Sequence, residues 1–363
     1  MDFPSTRPNI EKLQTYKPNF GKSKIKKLIR LSANESALGA SSDVIEALKL
    51  FSNDLNRYPP QVSDELISAI SKRYSLEKRK IILGNGSDEL ISVLAQTFLS
   101  SNDEAIYTEF GFVQFPQAIS IAGAKGVVAN DKNFTANVDN ILSKINKNTK
   151  IIFLANPNNP TGTFIPKEEV IRLHESIPSK ILLVYDAAYS EYVVNKAYLD
   201  GSELANANEN VIMLRTFSKL HGLASLRLGW GYASEKIIDN LMKVRGPFSV
   251  NTPAIIAGIA AIKDLEFQNK SVQHNLKWMN WFKKELKTLN LDYQSSITNF
   301  LLIRFPNNNR HNAQKAEKFL ASKGILVRNM TVYGLSNHLR VSIGNQEENL
   351  KFIKELKAFL ENQ

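Results

Sequence analysis

Four short segments of the 363-residue sequence place reactive side chains at the ends of apolar runs. In one, Val211–Arg215 leads into Thr216-Phe217-Ser218-Lys219, and Arg227 follows eight residues later. A lysine held beside hydroxyls and a guanidinium can form a Schiff base with an aldehyde, although a lone lysine is ordinarily a surface residue. In a second, Ile181–Tyr185 delivers Asp186 and then Tyr189. A carboxylate ending an apolar strand is costly unless it is paired; by itself it reads equally well as a helix N-cap. The third is Asn156-Pro157-Asn158-Asn159-Pro160-Thr161-Gly162, a sharp polar turn or simply a rigid loop of turn-forming residues. The fourth, Gly84-Asn85-Gly86-Ser87-Asp88-Glu89, lies between a strand and a helix. Its glycines let the backbone approach a ligand, and free N–H groups at Ser87 and Asp88 favour an anion. Ser and Asp are also good N-caps, and the segment is neither a P-loop nor a full dinucleotide fingerprint.

The elements around these segments decide whether they can meet. From about residue 80, short aliphatic runs alternate with amphipathic stretches. The predicted strands are Lys80–Leu83, Ala105–Tyr107, Gly126–Ala129, Ile151–Ala155, Ile181–Tyr185, Val211–Arg215 and Trp230–Ala233. Helical spacing fills gaps between them, as at Asp88–Leu99, Lys167–Ser176 and Glu235–Val244. That rhythm predicts an α/β fold, with a mainly parallel sheet flanked by helices. Ligands in such sheets bind outside the C-terminal strand ends, where all four segments fall. Together they supply anion-binding N–H groups, hydroxyls, an arginine, a buried carboxylate and a lysine, the inventory that pyridoxal phosphate requires. A long helical stretch is expected over 254–290, followed by strands Asn299–Phe305, Gly324–Arg328 and Leu339–Ile343 alternating with helices at 312–323 and 346–361. The last helix spaces Leu350, Ile353, Leu356 and Leu360 on one face. The expected division is a surface arm (1–30), a large domain (31–250), a connecting helix (251–275) and a smaller α+β C-terminal domain (276–363).

Composition removes several classes of function. The chain is 43% hydrophobic and 22% charged, as soluble globular proteins are. It has no cysteine, which excludes a disulfide scaffold, a thiol nucleophile and thiolate-held metal sites. Met1-Asp2-Phe3-Pro4-Ser5 lacks the apolar region of a signal peptide, and the longest apolar run, near Ile255–Ile262, is too short to span a bilayer. These features predict a cytoplasmic protein. The net charge of +11 is open to nucleic acid, an acidic membrane surface or an anionic substrate. Its basic residues are dispersed apart from clusters at 22–30 and 78–80, which read as solvated faces. A nucleic-acid binder would need a basic stripe with interleaved aromatics, and a cofactor-binding regulator would need an added DNA-binding domain.

Taken together, the motifs resemble the fold-type-I pyridoxal-phosphate aminotransferases, and within these the histidinol-phosphate aminotransferases. The resemblance runs from Leu31-Ser32-Ala33-Asn34-Glu35 through Arg57-Tyr58-Pro59, the four segments above and Leu226–Gly229 to Leu339–Gly344. It implies that Lys219 binds the cofactor aldehyde and later acts as general base, and that Asp186 pairs with the pyridinium nitrogen. It implies that Asn159 and Tyr189 bond the 3′-oxygen. The phosphate would be held by the N–H groups of Ser87 and Asp88, by Thr216 and Ser218, and by Arg227. Phe110 matches the aromatic that stacks on the ring. Tyr58 would reach the cofactor phosphate of a neighbouring subunit, which implies a homodimer with shared sites. The substrate set is Tyr16, Asn34, Asn159, Arg328 and Arg340. Arg340 would grip the α-carboxylate of glutamate and, with Arg328, the phosphate of histidinol phosphate, since a guanidinium fork suits both anions. The implied reaction exchanges an amino group between histidinol phosphate and 2-oxoglutarate. An aromatic or broad-specificity aminotransferase on the same scaffold is the alternative, followed by a threonine-phosphate decarboxylase.

Overall fold

The computed structural model of the protein describes residues 4–13, 15, 28–51 and 55–361. After a two-residue strand β1 (Ile29–Arg30), the chain lays down β2 (Ile81–Gly84), β3 (Glu104–Thr108), β4 (Lys125–Ala129), β5 (Thr149–Ala155), β6 (Leu182–Asp186), β7 (Val211–Thr216) and β8 (Gly229–Ala233). Strands β2 to β8 form one seven-stranded sheet in the order β2-β8-β7-β6-β5-β3-β4. All its pairings are parallel except those of β8, which is antiparallel to β7 and β2. Successive residues of β6 enter opposite layers. Leu183 and Tyr185 join one core, while Leu182 and Val184 join the other. That is why the central strands read as continuous apolar runs. On the edge strand β4, Lys125, Gly126 and Val128 are exposed.

Register aligns the functional ends. Ala155 of β5 lies opposite Asp186 of β6, and Asp186 opposite Leu214 of β7. The turn after β5, the carboxylate ending β6 and the loop after β7 therefore share one sheet edge. Gly229 opens β8 beside both Thr216 and Gly84. The reversed strand thus starts at that edge and brings Arg227, two residues before it, to the same place. A Cβ on Gly229 would lie 2.3 Å from the Ser87 nitrogen, so only glycine allows this approach.

The C-terminal unit adds β9 (Tyr293–Gln294), β10 (Phe300–Arg304), β11 (Ile325–Leu326), β12 (Arg328–Asn329) and β13 (His338–Ser342). Four of these form an antiparallel sheet in the order β12-β13-β10-β9. The fifth, β11, pairs in parallel with β1. Ile29 and Leu31 consequently pack with Leu301, Ile303 and Val341, so the chain joins the smaller core before it builds the larger sheet.

Local reading and structure differ at several points. The 254–290 stretch is two helices, Thr252–Lys263 and Leu265–Thr288, separated at Asp264. The Asp264 side chain accepts from the Phe267 N–H at 2.9 Å and caps the second helix. The 324–328 run breaks at Val327 because its halves pair with different partners. In the last helix, Gln346–Glu361, the buried face is Phe352, Ile353, Leu356 and Phe359, and Leu350 is exposed. Asn349 takes the inward position, because its amide bonds both the N–H and the carbonyl of Gly344 at 2.8 Å. In the arm, helix Pro8–Glu11 lies beside helix Gln114–Ala122, with Arg7 Nη2 donating to the Ile121 carbonyl at 3.0 Å and Ser120 Oγ to the Asn9 carbonyl at 3.1 Å.

Candidate active site

A cavity of about 470 Å³ opens at the shared sheet edge. Asp186 lines it from the end of β6 and is 4% exposed. Its Oδ1 accepts from the Ala188 N–H at 3.1 Å. No ion pair reaches it among the described residues. Burial pushes its carboxyl up to about 7, helped by the negative Asp88 and opposed by the Ala188 N–H and the Lys219 charge. Lys219 lines the same cavity from the loop after β7. Its Nζ donates to the Ala33 carbonyl at 3.3 Å and stands 5.7 Å from the centre of the Tyr189 ring. Burial, and then the Arg340 charge, bring its amine down to about 8 against the opposing pull of Asp88. An amine brought down to about 8 and a carboxyl pushed up to about 7, side by side in one cavity, are a common mark of chemistry.

An anion cradle forms another part of the wall. Helix Ser87–Phe98 starts after Gly86, whose φ of 78° lies in the left-handed region and which supplies no side-chain cap. The first N–H groups are therefore left for a ligand. Arg227 faces them, with Nη2 3.1 Å from Asp88 Oδ2 and Nη1 3.3 Å from Ser218 Oγ. A Cβ on Gly86 would stand 2.6 Å from Arg227 Nη2, so the glycine makes room for the guanidinium. Thr216 Oγ1 accepts from the Ser218 N–H at 3.1 Å and fixes the turn that presents both hydroxyls. Ser87, Asp88, Thr216, Ser218 and Arg227 all line the cavity. Arg227 itself has φ 56°, a conformation that costs a non-glycine residue energy and tends to occur at functional sites.

A polar seam closes the cavity toward the smaller unit. Tyr189 and Asn159 line it. The Tyr189 hydroxyl accepts from Asn34 Nδ2 at 2.8 Å, and burial pushes its own proton up to about 12. Asn34 sits just outside the lining, buried, with φ 55°. Its N–H donates to Ser342 Oγ at 2.9 Å, which ties the seam to β13. Arg340, buried on β13, donates to Asn159 Oδ1 and, at 2.8 Å, to the Ser32 carbonyl. Arg328 on β12 stands directly opposite Arg340 in the antiparallel register, so the two guanidinium groups share a face of the small sheet.

Arg328 and Arg340, like Asn34, lie outside the cavity lining, and three further predicted positions stand apart from the seam as well. Phe110 does not line the cavity; it stacks on Phe134 at 5.4 Å, and Phe112 lines the cavity in its place. The turn at Gly111 explains the exchange. The Gly111 N–H bonds the Thr108 carbonyl at 2.8 Å, and across this turn Phe110 packs against Leu302, Met330 and Leu335 while Phe112 lines the cavity. Tyr58 is 83% exposed, stacks on Phe248 at 4.8 Å and does not reach this chain's cavity. Tyr16 lies outside the described residues.

The family model for aminotransferase class I and II matches residues 26–356. The chain belongs to this family. Its relatives include proteins named histidinol-phosphate aminotransferase from Paramagnetospirillum magneticum (42% identical over 363 residues) and Rhodopseudomonas palustris (43% over 364), each alignment covering 99% of both chains. Among solved structures, the histidinol-phosphate aminotransferase from Sinorhizobium meliloti in complex with pyridoxal-5′-phosphate superposes with a TM-score of 0.91. At 24% identity over 99% of this chain and 98% of that one, it supports the fold.

The aminotransferase has a second, more open cavity of about 550 Å³ around Arg215. Arg215 is fully engaged there, with Nη1 3.3 Å from Glu191, Nη2 2.8 Å from Asp200, and its plane over the Tyr74 ring at 4.8 Å. None of the predicted site residues lines that cavity. Sequence reasoning also missed Pro157, Ala188 and Ala224, which shape the first cavity's wall. Pro157 and Ala188 adjoin residues of the chemical motifs and Ala224 lies three residues before Arg227, but an apolar side chain carries no chemical signal of its own. No helix among the described residues of the aminotransferase is long and apolar enough to cross a membrane.

Proposed function

We propose that the chain is a pyridoxal-phosphate-dependent aminotransferase that moves an amino group between histidinol phosphate and 2-oxoglutarate, giving imidazole acetol phosphate and glutamate. The observation that carries this reading is Lys219 in one cavity with a buried Asp186 carboxylate, without an ion pair among the described residues, and the Ser87–Asp88–Arg227 anion cradle. A phosphorylated pyridine aldehyde asks for these three features: an amine, an acceptor for a charged ring nitrogen, and an oxyanion cradle. The relatives' names, at 42–43% identity over almost the whole chain, support the substrate.

When bound, the cofactor supplies an aldehyde for the substrate nitrogen and a ring that takes up the electron pair released at Cα. The protein's part is to orient and to move protons. Lys219, with its amine near 8, takes the proton from the substrate Cα and returns it at the cofactor C4′. Asp186 holds a proton at the ring nitrogen. Asn159 and Tyr189 would bond the 3′-oxygen, and Phe112, which lines the cavity where Phe110 was expected, would back the ring. Ser87, Asp88, Thr216, Ser218 and Arg227 hold the phosphate. Arg340, with Arg328 opposite, grips the substrate anion beside Asn34; the resemblance assigns Tyr16 to the substrate as well. The large sheet thus serves the cofactor and the C-terminal unit carries the arginine clamp.

The proposal includes a homodimer with shared sites. Tyr58 is almost fully exposed next to exposed Phe248, with Leu55 77% and Leu50 78% exposed on neighbouring segments. Such apolar surface calls for a partner, and a second copy would bring Tyr58 to its neighbour's cofactor phosphate. It also includes a cytoplasmic location, since doubly charged phosphate esters and dicarboxylates do not cross membranes unaided. The test is product formation. Purified enzyme with 2-oxoglutarate should form imidazole acetol phosphate from histidinol phosphate faster than keto acids from aromatic amino acids, and Lys219→Ala should lower turnover by orders of magnitude. Faster turnover of an aromatic amino acid would favour the broad-specificity reading, and full activity of Lys219→Ala would end the proposal.

A further inference from the structure

We infer that Tyr333 is a positioning residue that ties the arginine-bearing unit to the loop presenting Phe112, so that substrate clamp and ring wall move together. The inference rests on the function proposed above. The loop 109–113 is held from two sides. On the side of the large sheet, the Phe110 N–H donates to Asp131 Oδ2 at 3.2 Å, and Asn158 Nδ2 donates to the Phe110 carbonyl at 2.9 Å. Both peptide groups of Phe110 are thereby fixed, and its ring stacks on Phe134. On the other side, the Val113 N–H donates to the Tyr333 hydroxyl at 3.3 Å. Val113 directly follows Phe112 and is the N-cap of helix Gln114–Ala122.

Tyr333 closes the turn Thr331–Tyr333, five residues after Arg328, in the segment that joins β12 to β13. Its hydroxyl feels the charges of Arg340 and Arg328. A second contact runs alongside: Phe134 meets the ring of His338 edge-on at 5.5 Å, and His338 precedes Arg340 by two residues on β13. The loop is therefore anchored to the large sheet through the Phe110 backbone, while the Phe110 ring packs against Leu302, Met330 and Leu335 of the smaller unit and Tyr333 adds a directed bond at Val113, with Phe112 between the two contacts. A shift of the arginine pair relative to the sheet pulls on the residue next to Phe112. In an enzyme whose substrate spans from the arginines to the ring, that connection keeps the two ends in register.

Tyr333→Phe removes the acceptor and keeps the ring. In the holoenzyme it should speed exchange of the Val113 amide, read at single-residue resolution by fragmentation mass spectrometry, by about fivefold, the scale of one net hydrogen bond, while the Phe110 amide stays unchanged. The KM for histidinol phosphate should rise by a similar factor, with kcat within about twofold. Val113→Pro removes the donor instead, and the φ of −55° at Val113 suits proline. It should raise KM equally, and the double variant should add nothing further. Unchanged Val113 exchange in Tyr333→Phe overturns the tie. Faster exchange with unchanged KM, or additive effects in the double variant, overturns the coupling to substrate. The exchange measurement needs no substrate, so it decides the tie even if wild-type enzyme fails to turn over histidinol phosphate; the KM is then read with the amino acid that it does turn over.

Discussion

Replacing Asp186 by Asn should make the cofactor-free protein more stable at alkaline pH while removing most activity from the loaded enzyme. The Asp186 carboxylate is 4% exposed, accepts one backbone N–H at 3.1 Å and has no ion pair among the described residues. Burial raises its pKa from the ordinary 3.8 to about 7. Between those values the folded protein binds a proton that the unfolded chain has released, so stability falls as pH rises through this window. The full cost, reached above about pH 7, is on the order of 4 kcal/mol at about 1.4 kcal/mol for each tenfold step in the proton equilibrium. Asn keeps the shape and can accept the Ala188 N–H, but it never carries the charge. From pH 5 to pH 8, the stability of Asp186→Asn relative to wild type should therefore increase by ~3 kcal/mol. Urea unfolding of both apoproteins at the two pH values, at one protein concentration, measures that difference. A gap that does not change with pH, or that narrows toward pH 8, would refute the view of Asp186 as an uncompensated charge held for the cofactor.

Lys219 should titrate near 8 in the apoprotein, because burial and Arg340 depress its pKa. At pH 7 its neutral share is then about 10%, against ~0.03% for an ordinary lysine. Competitive acetylation of the Lys219 peptide should follow a midpoint near pH 8 that moves upward in Arg340→Gln; a wild-type midpoint above about pH 10 would contradict the environment described. Phe112→Leu should weaken pyridoxal phosphate binding about three- to tenfold, the scale of one aromatic contact, by absorbance titration. Phe110→Leu should lower the melting temperature through its lost stack on Phe134 and leave that affinity within about twofold. The opposite pattern would return the ring wall to Phe110.

Much of the fold can be read from the sequence because its elements are local. Helices Lys167–Ser176 and Glu235–Val244 have the bounds that their spacing predicts, and every predicted strand from 80 to 233 joins the large sheet. The signal is strong because the central strands are buried on both faces. The positions of Asp186 and Lys219 follow directly, since each chemical motif ends one of those runs. What could not be read depends on distant partners. Nothing local to Ile29–Leu31 announces Ile325 and Leu326, and nothing within Gly324–Arg328 says that its two halves pair with different strands. Leu350 carries the helical spacing of a core residue, yet Asn349 displaces it by capping Gly344, a bond that no hydrophobic pattern encodes. Phe110 and Phe112 differ in no property visible in sequence. The turn at Gly111 decides which of them faces the cavity.

Several features that weaken the apoprotein lie at this sheet edge. Asn34 and Arg227 hold left-handed backbone, and the side chains of Asp186 and Lys219 are buried against their own ionisation. Each departs from what the local environment favours, and such departures gather at functional sites. A phosphorylated aldehyde bound there would offset several of them at once, by supplying a cation to Asp186, an anion to Arg227 and a carbon to the Lys219 amine. Ligand binding to the folded state alone then restores the stability that the empty site gives up. The +11 charge can be read in the same way. Of the basic groups, the proposed function uses Lys219, Arg227, Arg328 and Arg340, and they would be needed at any net charge. The dispersed lysines that make up the excess can act only at long range, by raising the local concentration of anionic substrates around the cleft.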